Sequence, residues 1–360
     1  MTNTFGSKVK ISIYGTSHAP EIGAIIEGLP KGIEINEEKL SEFMDRRRAK
    51  GNLATRRHEA DKVIFESGVK DGETDGESIK LVIKNGDVRS KDYENVSKVP
   101  RPNHADFAAY MKYGDSFDFH GGGQFSGRLT AVWCACGFIF LEILGSKGIQ
   151  VVSHVKRIGE ISDISLDSLK PDEKLNKRLK SESFPVIIET KREKMAEAIV
   201  EKSKEQDSMG GEIECAVYGL PAGLGADFFG GLEALIAQSV FSVPAVKGLE
   251  FGKGFDFAKM CGSLANDGFT LDENGEIKTV TNNCGGILGG ISSGMPLTLS
   301  CAFKPTPSIS RPQKSVDLNT HEEVTLEIKG RHDPCIVPRA CAVVESAVAM
   351  ALVNADGFDI

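Results

Sequence analysis

Strand-like and helix-like apolar patterns follow one another in blocks along this chain, and that order restricts its fold more than any other feature. Residues 9–14 (VKISIY) and 22–28 alternate as two strands joined by a Gly-Thr-Ser-His turn that carries His18. Residues 61–69 and 78–84 alternate again around a Gly-rich turn, the period expected of half-buried strands. Between these pairs Asn36 stands where a helix N-cap belongs, Glu37 and Glu38 fill the first turn, and Arg46, Arg47 and Arg48 close the helix, as capping and the helix dipole favour. Leu40, Phe43 and Met44 share one of its faces. An apolar helix is expected from Leu129 to about Gly145, strands at 151–158 and 212–218, charged helix within 166–206, and a helix over 228–241. A strand, a Gly-rich crossing and another strand fill 277–300, before a strand at 323–329 and a final Ala- and Val-rich helix at 339–354. Strict βα alternation would give a doubly wound sheet; blocks predict an α+β fold with antiparallel sheets. No internal repeat or linker interrupts the pattern, so a single domain over 1–360 is expected.

Composition narrows the function classes. No run of eighteen apolar residues predicts a membrane span, and the polar segment Met1–Lys10 has no apolar core of an export signal. The net charge of −8 disfavours a general nucleic-acid binder while leaving room for a local basic pocket. The eight cysteines contain no C-x-x-C pair, and Cys134 and Cys136 have apolar neighbours. That reads as reduced, buried thiols and a cytoplasmic location.

Three sets of residues carry chemistry. Residues 85–128 form a long segment rich in Pro, Gly and His, and long loops in compact domains are usually functional. It ends in Gly121-Gly122-Gly123-Gln124-Phe125-Ser126-Gly127-Arg128. Bare amides ahead of a helix, with Ser126 and Arg128 as further donors, suit an anion, although neither a Rossmann nor a P-loop pattern is present. Arg46, Arg47, Arg48, Lys50, Arg56, Arg57 and His58 crowd into thirteen residues. They read either as a solvated helix end or as a sink for a multiply anionic ligand, which Arg331 and Arg339 could join. His18, His104, His120 and His332 all lie in loops beside Ser, Asp, Gly or Arg, where an imidazole can exchange protons near neutrality. The absence of HExxH or an equivalent spacing predicts no metal site.

Read together, these segments resemble the chorismate synthase family from end to end. The matching runs include G-T-S-H (15–18), D-R-R-R (45–48), E-A-D-K-V-I-F-E-S-G-V (59–69), R-S-K-D-Y (89–93) and R-P-N-H-A-D (101–106). They continue through G-G-G-Q-F-S-G-R (121–128), D-S-M-G-G (207–211), A-V-K-G-L-E-F-G (245–252), N-N-C-G-G-I-L-G-G-I-S-S-G (282–294), K-P-T-P-S-I (304–309) and G-R-H-D-P-C (330–335). The resemblance implies a β-α-β sandwich, with a helical core between two antiparallel sheets, assembled as a homotetramer. It implies a lyase of the shikimate pathway, in aromatic amino acid biosynthesis. The reaction is a 1,4-anti elimination of phosphate from 5-enolpyruvylshikimate 3-phosphate to give chorismate. The family requires reduced FMN (FMNH2) without net redox change, and NADPH reduces the flavin directly or indirectly. No long insertion stands out, which points to an external flavin reductase.

By motif match, the resemblance assigns His18 to protonating the departing phosphate, His104 to protonating or orienting the reduced flavin, and Asp333 to a proton relay, with Ser17 and Ser126 in support. The cofactor contacts it implies are Gln124, Phe125, Ser126, Pro244, Ala245, Gly289, Lys304, Pro305, Thr306, Pro307, Ser308 and Arg331. Arg47 and Arg48 match the substrate region, and Arg128 and Arg339 are further candidates there. Some positions depart from the family pattern. Thr16 and Ala19 replace Glu and Gly, Asn103 replaces Gly, Gln124-Phe125 replaces Arg-Ser, and the stretch after Arg48 is one residue shorter. Rival classes are a flavin- or phosphate-binding protein without elimination activity, an RNA-binding module on 46–58, and a flavin oxidoreductase. The first should lack His18, His104 or Asp333, the second should interleave aromatics with its basic residues, and the third should consume NADPH with substrate.

Overall fold

The computed structural model describes residues 3–48, 61–86, 99–117, 121–328 and 333–360. Two five-stranded antiparallel sheets enclose a layer of helices, as the block order predicts. The N-terminal sheet runs Thr4–Phe5, Lys10–Gly15, Glu21–Glu27, Ile79–Lys84, Val63–Ser67. The C-terminal sheet runs Val246–Phe251, Leu297–Phe303, Gly211–Tyr218, Gln150–Ile158, Ile161–Ser162. Alternation decides which side chains face inward. In Ile79–Lys84, Ile79, Leu81 and Ile83 enter the core, while Lys80 and Lys84 turn outward to ion pairs with Glu66 and Glu21.

The helices in chain order are α1 (Glu37–Arg47), α2 (Asp106–Tyr113), α3 (Thr130–Ser146), α4 (Glu173–Ser181), α5 (Glu189–Lys204), α6 (Leu232–Phe241), the single turn α7 (Gly262–Ala265) and α8 (Val337–Val353). Asn36 caps α1 as expected, its side chain accepting from the Lys39 amide at 3.0 Å. α3 packs on the N-terminal sheet, and α8 packs on α1, α3, α6 and the strands 150–158 and 211–218. Every residue of α8 except Arg339, in its first turn, is buried. A helix apolar on all sides belongs in a core. The run Gly127–Ser146 is long and apolar enough to cross a membrane by composition, yet its side chains fill the space between the sheets. Gly137 of α3 sits directly on Ser346 of α8, where any side chain would collide, so the close crossing of the two helices needs a glycine. One continuous apolar cluster draws on both sheets and on these helices.

Some expectations need correction. The segment 85–128 is not all loop, because α2 forms within it. The strands Val246–Phe251 and Gln313–Val316 were not anticipated; the second pairs with Glu323–Leu326, which falls within the strand expected at 323–329. The basic end of α1 is not a solvated surface: Arg46 and Arg47 are buried. Arg46 forms a two-pronged bond to Glu345 of α8, at 2.6 and 2.8 Å, and Glu345 also accepts from the Ser153 amide and hydroxyl at 3.0 and 2.8 Å. All eight cysteines are unpaired; six are buried, Cys284 is half-buried and Cys261 is exposed.

Candidate active site

A cavity of about 1070 Å³ opens between the edge of the N-terminal sheet, the start of α3 and the start of α8. Seven separated stretches of chain supply most of its walls: the turn 17–18, the end of α1, the loop 101–105, the glycine run 121–128, the segments 241–247 and 303–308, and residues 333–343.

The turn between the first two long strands presents His18. The Ser17 amide donates to the Gly123 carbonyl at 3.1 Å, which ties this turn to the glycine run. Ser17 Oγ lies 3.0 Å from His18 Nδ1. Gly121, at φ +59°, lies against the His18 ring, and a methyl group there would fall on it. Ser126 accepts from the Arg128 amide at 3.2 Å and so sets the 3-10 turn that leads into α3.

The loop 101–106 presents His104. Asn103 holds φ +59°, a conformation in which Asn is the best tolerated residue after Gly. The departure from Gly at this position therefore keeps the turn. Asp106, fully buried, accepts from Arg101 and lies 2.6 Å from His104 Nδ1. Burial opposes its ionised form, but hydrogen bonds from Arg101 and His104 prevail and hold its carboxyl well below the usual range.

Charge on the cavity wall runs opposite to the whole chain. Arg47, Arg48, Arg101, Arg128, Lys247, Lys304 and Arg339 line it, against Asp61 and Asp333. Several of these cations hold structure as well. Arg47 donates to Asp61 at 2.7 Å, Thr130 Oγ1 at 3.0 Å and the Gly127 carbonyl at 3.1 Å. Arg128 also bonds Asp61 and donates to Asn85 at 2.8 Å. Arg339 donates to Asp333 at 2.8 Å, and Arg48 pairs with Asp45. Burial, then the neighbouring Lys247, pushes the Lys304 ammonium down from its ordinary value, which is the setting an anion would relieve.

The cavity gathers most of the residues singled out from sequence: Ser17, His18, Arg47, Arg48, His104, Gln124, Phe125, Ser126, Arg128, Pro244, Ala245, Lys304, Thr306, Pro307, Ser308, Asp333 and Arg339. Pro305 and Gly289 do not line it; Gly289 sits in the turn between the short strands Ile287–Leu288 and Ile291–Ser292. Arg331, His120, His332, Lys50, Arg56, Arg57, His58 and the run 89–93 lie outside the described residues. Sequence reasoning gave no role to Asp61, Arg101, Asp106 or Lys247. The signal was present for two of them, because Arg101 and Asp106 bracket His104 in R-P-N-H-A-D.

Comparison with known proteins agrees with this assembly. A family model described as "Chorismate synthase" matches residues 9–356. A chorismate synthase of Thermococcus kodakarensis is 43% identical over 349 residues, covering 97% of this chain and 96% of that protein. One of Methanothermobacter thermautotrophicus is 41% identical over 357 residues, covering 98% and 93%. A solved structure titled "Crystal Structure of Chorismate Synthase" superposes with a TM-score of 0.75 at 26% identity, covering 97% of this chain and 91% of that one.

Proposed function

The chain belongs to the chorismate synthase family, and from that membership we propose how its cavity converts 5-enolpyruvylshikimate 3-phosphate to chorismate. The enzyme is a carbon–oxygen lyase acting on a phosphate, and the family uses reduced FMN. The observation that carries the assignment of roles is the meeting of His18, His104, Asp333 and a surplus of cations in one cavity of about 1070 Å³.

The wall fits a flavin. Phe125, Val243, Pro244, Phe303 and Pro307 offer apolar surface to a planar ring. Lys247 and Lys304 offer charge to a phosphate, and the buried Thr306 Oγ1 has no hydrogen-bond partner among the described residues. Gln124 to Ser126, Pro244, Ala245 and Lys304 to Ser308 would hold the group, with Arg331 and Gly289 assigned by motif match. When bound, reduced FMN supplies electron density to the allylic system and a base for the C6 proton.

The rest falls to the protein. Arg47, Arg48, Arg128 and Arg339 set the electrostatic field for a substrate with a phosphate and two carboxylates. As the C–O bond to phosphate breaks, His18 delivers a proton to the leaving oxygen; Ser17 on Nδ1 makes Nε2 the delivering atom. His104 orients and protonates the cofactor, and Asp333, held by Arg339, accepts and passes on the substrate proton. Ser126 keeps the glycine run in register with His18.

The working unit is a homotetramer. Phe269, Leu271 and Ile277 on one exposed hairpin support this, being each at least 66% exposed, as surfaces awaiting a partner are. Unpaired cysteines support a cytoplasmic location. An external reductase drawing on NADPH supplies the reduced flavin. The test is an anaerobic assay with photoreduced FMN and substrate. Chorismate and phosphate should appear in equal amounts without net flavin oxidation. Oxidised FMN with NADPH should give no product until a reductase is added. Tight FMN binding without product would overturn the elimination in favour of a binding protein.

A further inference from the structure

We infer that Asp106 is the positioning residue that fixes the tautomer and aim of His104; the inference rests on the assignment of His104 to the reaction. Asp106 opens α2 and has no exposed surface. Its Oδ2 accepts from the Arg101 amide at 3.0 Å and Nε at 2.7 Å. Its Oδ1 accepts from Arg101 Nη2 at 2.7 Å and meets His104 Nδ1 at 2.6 Å. An ionised carboxylate only accepts, so the hydrogen in that last contact sits on Nδ1.

The surroundings allow no other arrangement. Arg101 Nη2 also lies 3.1 Å from His104 Nδ1, but its two hydrogens are directed to Asp106 and to the Gly121 carbonyl. A lone pair on Nδ1 would face an anionic oxygen at 2.6 Å. Nδ1–H is therefore held by Asp106, and Nε2 becomes the atom through which His104 takes and gives a proton. Arg101 keeps the buried carboxylate ionised and so keeps it an acceptor. It also carries the alignment further, because the Gly121 whose carbonyl it holds is the residue packed on the His18 ring. One buried ion pair thus orders both histidines.

Asp106→Asn tests the idea. An amide that keeps its carbonyl toward the Arg101 amide and Nε presents NH₂ to His104 and reverses the tautomer at nearly the same size, at the cost of the bond from Arg101 Nη2. In serine proteases the same exchange behind a catalytic histidine costs about 10⁴-fold in kcat. Here kcat should fall by at least about 10²-fold, with KM for 5-enolpyruvylshikimate 3-phosphate within about threefold of the parent. Nitrogen-15 histidine spectra of the unmodified protein, with the His104 signals identified by their loss in His104→Ala, should show the hydrogen on Nδ1. This holds the inference to account even if Asp106→Asn does not fold. A neutral His104 ring with its hydrogen on Nε2 and none on Nδ1 in the unmodified protein would overturn it, as would an Asp106→Asn enzyme with near-parental kcat beside a slow His104→Ala. Parental turnover by His104→Ala would instead remove His104 itself from the reaction and the inference with it.

Discussion

At the scale of single residues, the site depends on backbone positions as well as on the side chains that carry the chemistry. Gly121 is one. Its left-handed backbone suits glycine, and its contact with the His18 ring leaves no room for a methyl group. Gly121→Ala should displace the imidazole and lower kcat by at least about tenfold, since misplacing a reacting group by about 1 Å can cost about 10²-fold. Unchanged far-ultraviolet circular dichroism would place the loss in the site, and parental turnover would show that the ring does not need this seat. Asn103 shows the same constraint met differently, with the side chain that best tolerates the left-handed region. The sequence displayed these residues within motifs, but only the backbone angles and the ring contact give the physical reason for them.

At the scale of elements, charged side chains in the core decide how helices and sheets meet. Arg46 of α1, Glu345 of α8 and Ser153 of the C-terminal sheet form one hydrogen-bonded group. Glu345→Ala leaves a buried guanidinium unpaired and should cost about 3–5 kcal/mol in urea unfolding, whereas replacing Arg46 and Glu345 together by Met and Leu should recover most of it. A loss under about 1 kcal/mol in the single variant would contradict this.

On the outer face of the same sheet, the excursion bearing α4 and α5 is held through buried His154. Its Nε2 lies 2.8 Å from Glu214, and its Nδ1 lies 3.6 Å from Asp163, which also accepts from the Ile187 and Ile188 amides. Burial works against the imidazolium, but the two carboxylates prevail and raise its pKa; burial also opposes ionisation of Asp163 and Glu214, and hydrogen bonds lower both. A raised histidine stabilises fully below its ordinary 6.5 and loses its contribution as pH rises through the folded value. The lowered carboxylates stabilise fully above their ordinary 3.8 and 4.5 and lose their contributions as pH falls through the folded values. This group therefore contributes most between pH 4.5 and 6.5. The thermal midpoint should decline on the alkaline side, and His154→Gln should flatten that decline.

Much of this level was legible. Alternation marked the long strands, and Asn36 with the glutamates after it marked α1. What was not legible followed from burial. Arg46 and Arg47 have the composition of a wet helix end, and only the packing of α8 and Asp61 against them makes them interior. The strand Val246–Phe251 lacks a clean apolar alternation because only Val246 is buried and its other residues are exposed or half-exposed.

At the scale of the whole molecule, a chain of net charge −8 surrounds a cationic cavity. The outer field repels a polyanionic substrate, and the cavity attracts it over short range. Salt screens charges with a length of about 10 Å at 0.1 M. Raising ionic strength from about 0.05 M to about 0.5 M should lower kcat/KM several-fold while kcat changes little. A kcat/KM that holds constant would show that steering plays no part. The fold class was readable at this scale because block order survives without knowing any contact. The cavity was not, since its walls come from positions as far apart as Ser17 and Val343.

The place of α8 in the chain has a consequence for synthesis. Every strand of both sheets is translated before it, yet nearly all of its surface is interior, and it bridges α1 to the C-terminal sheet. A nascent chain that has left the ribosome up to about residue 336 has α3 and α6 but lacks the helix they both pack on, so the apolar faces that α8 covers stay wet and adhesive. Such a protein must wait for its last helix and then close at once, which makes the interval before α8 emerges the point in its life when a chaperone matters most.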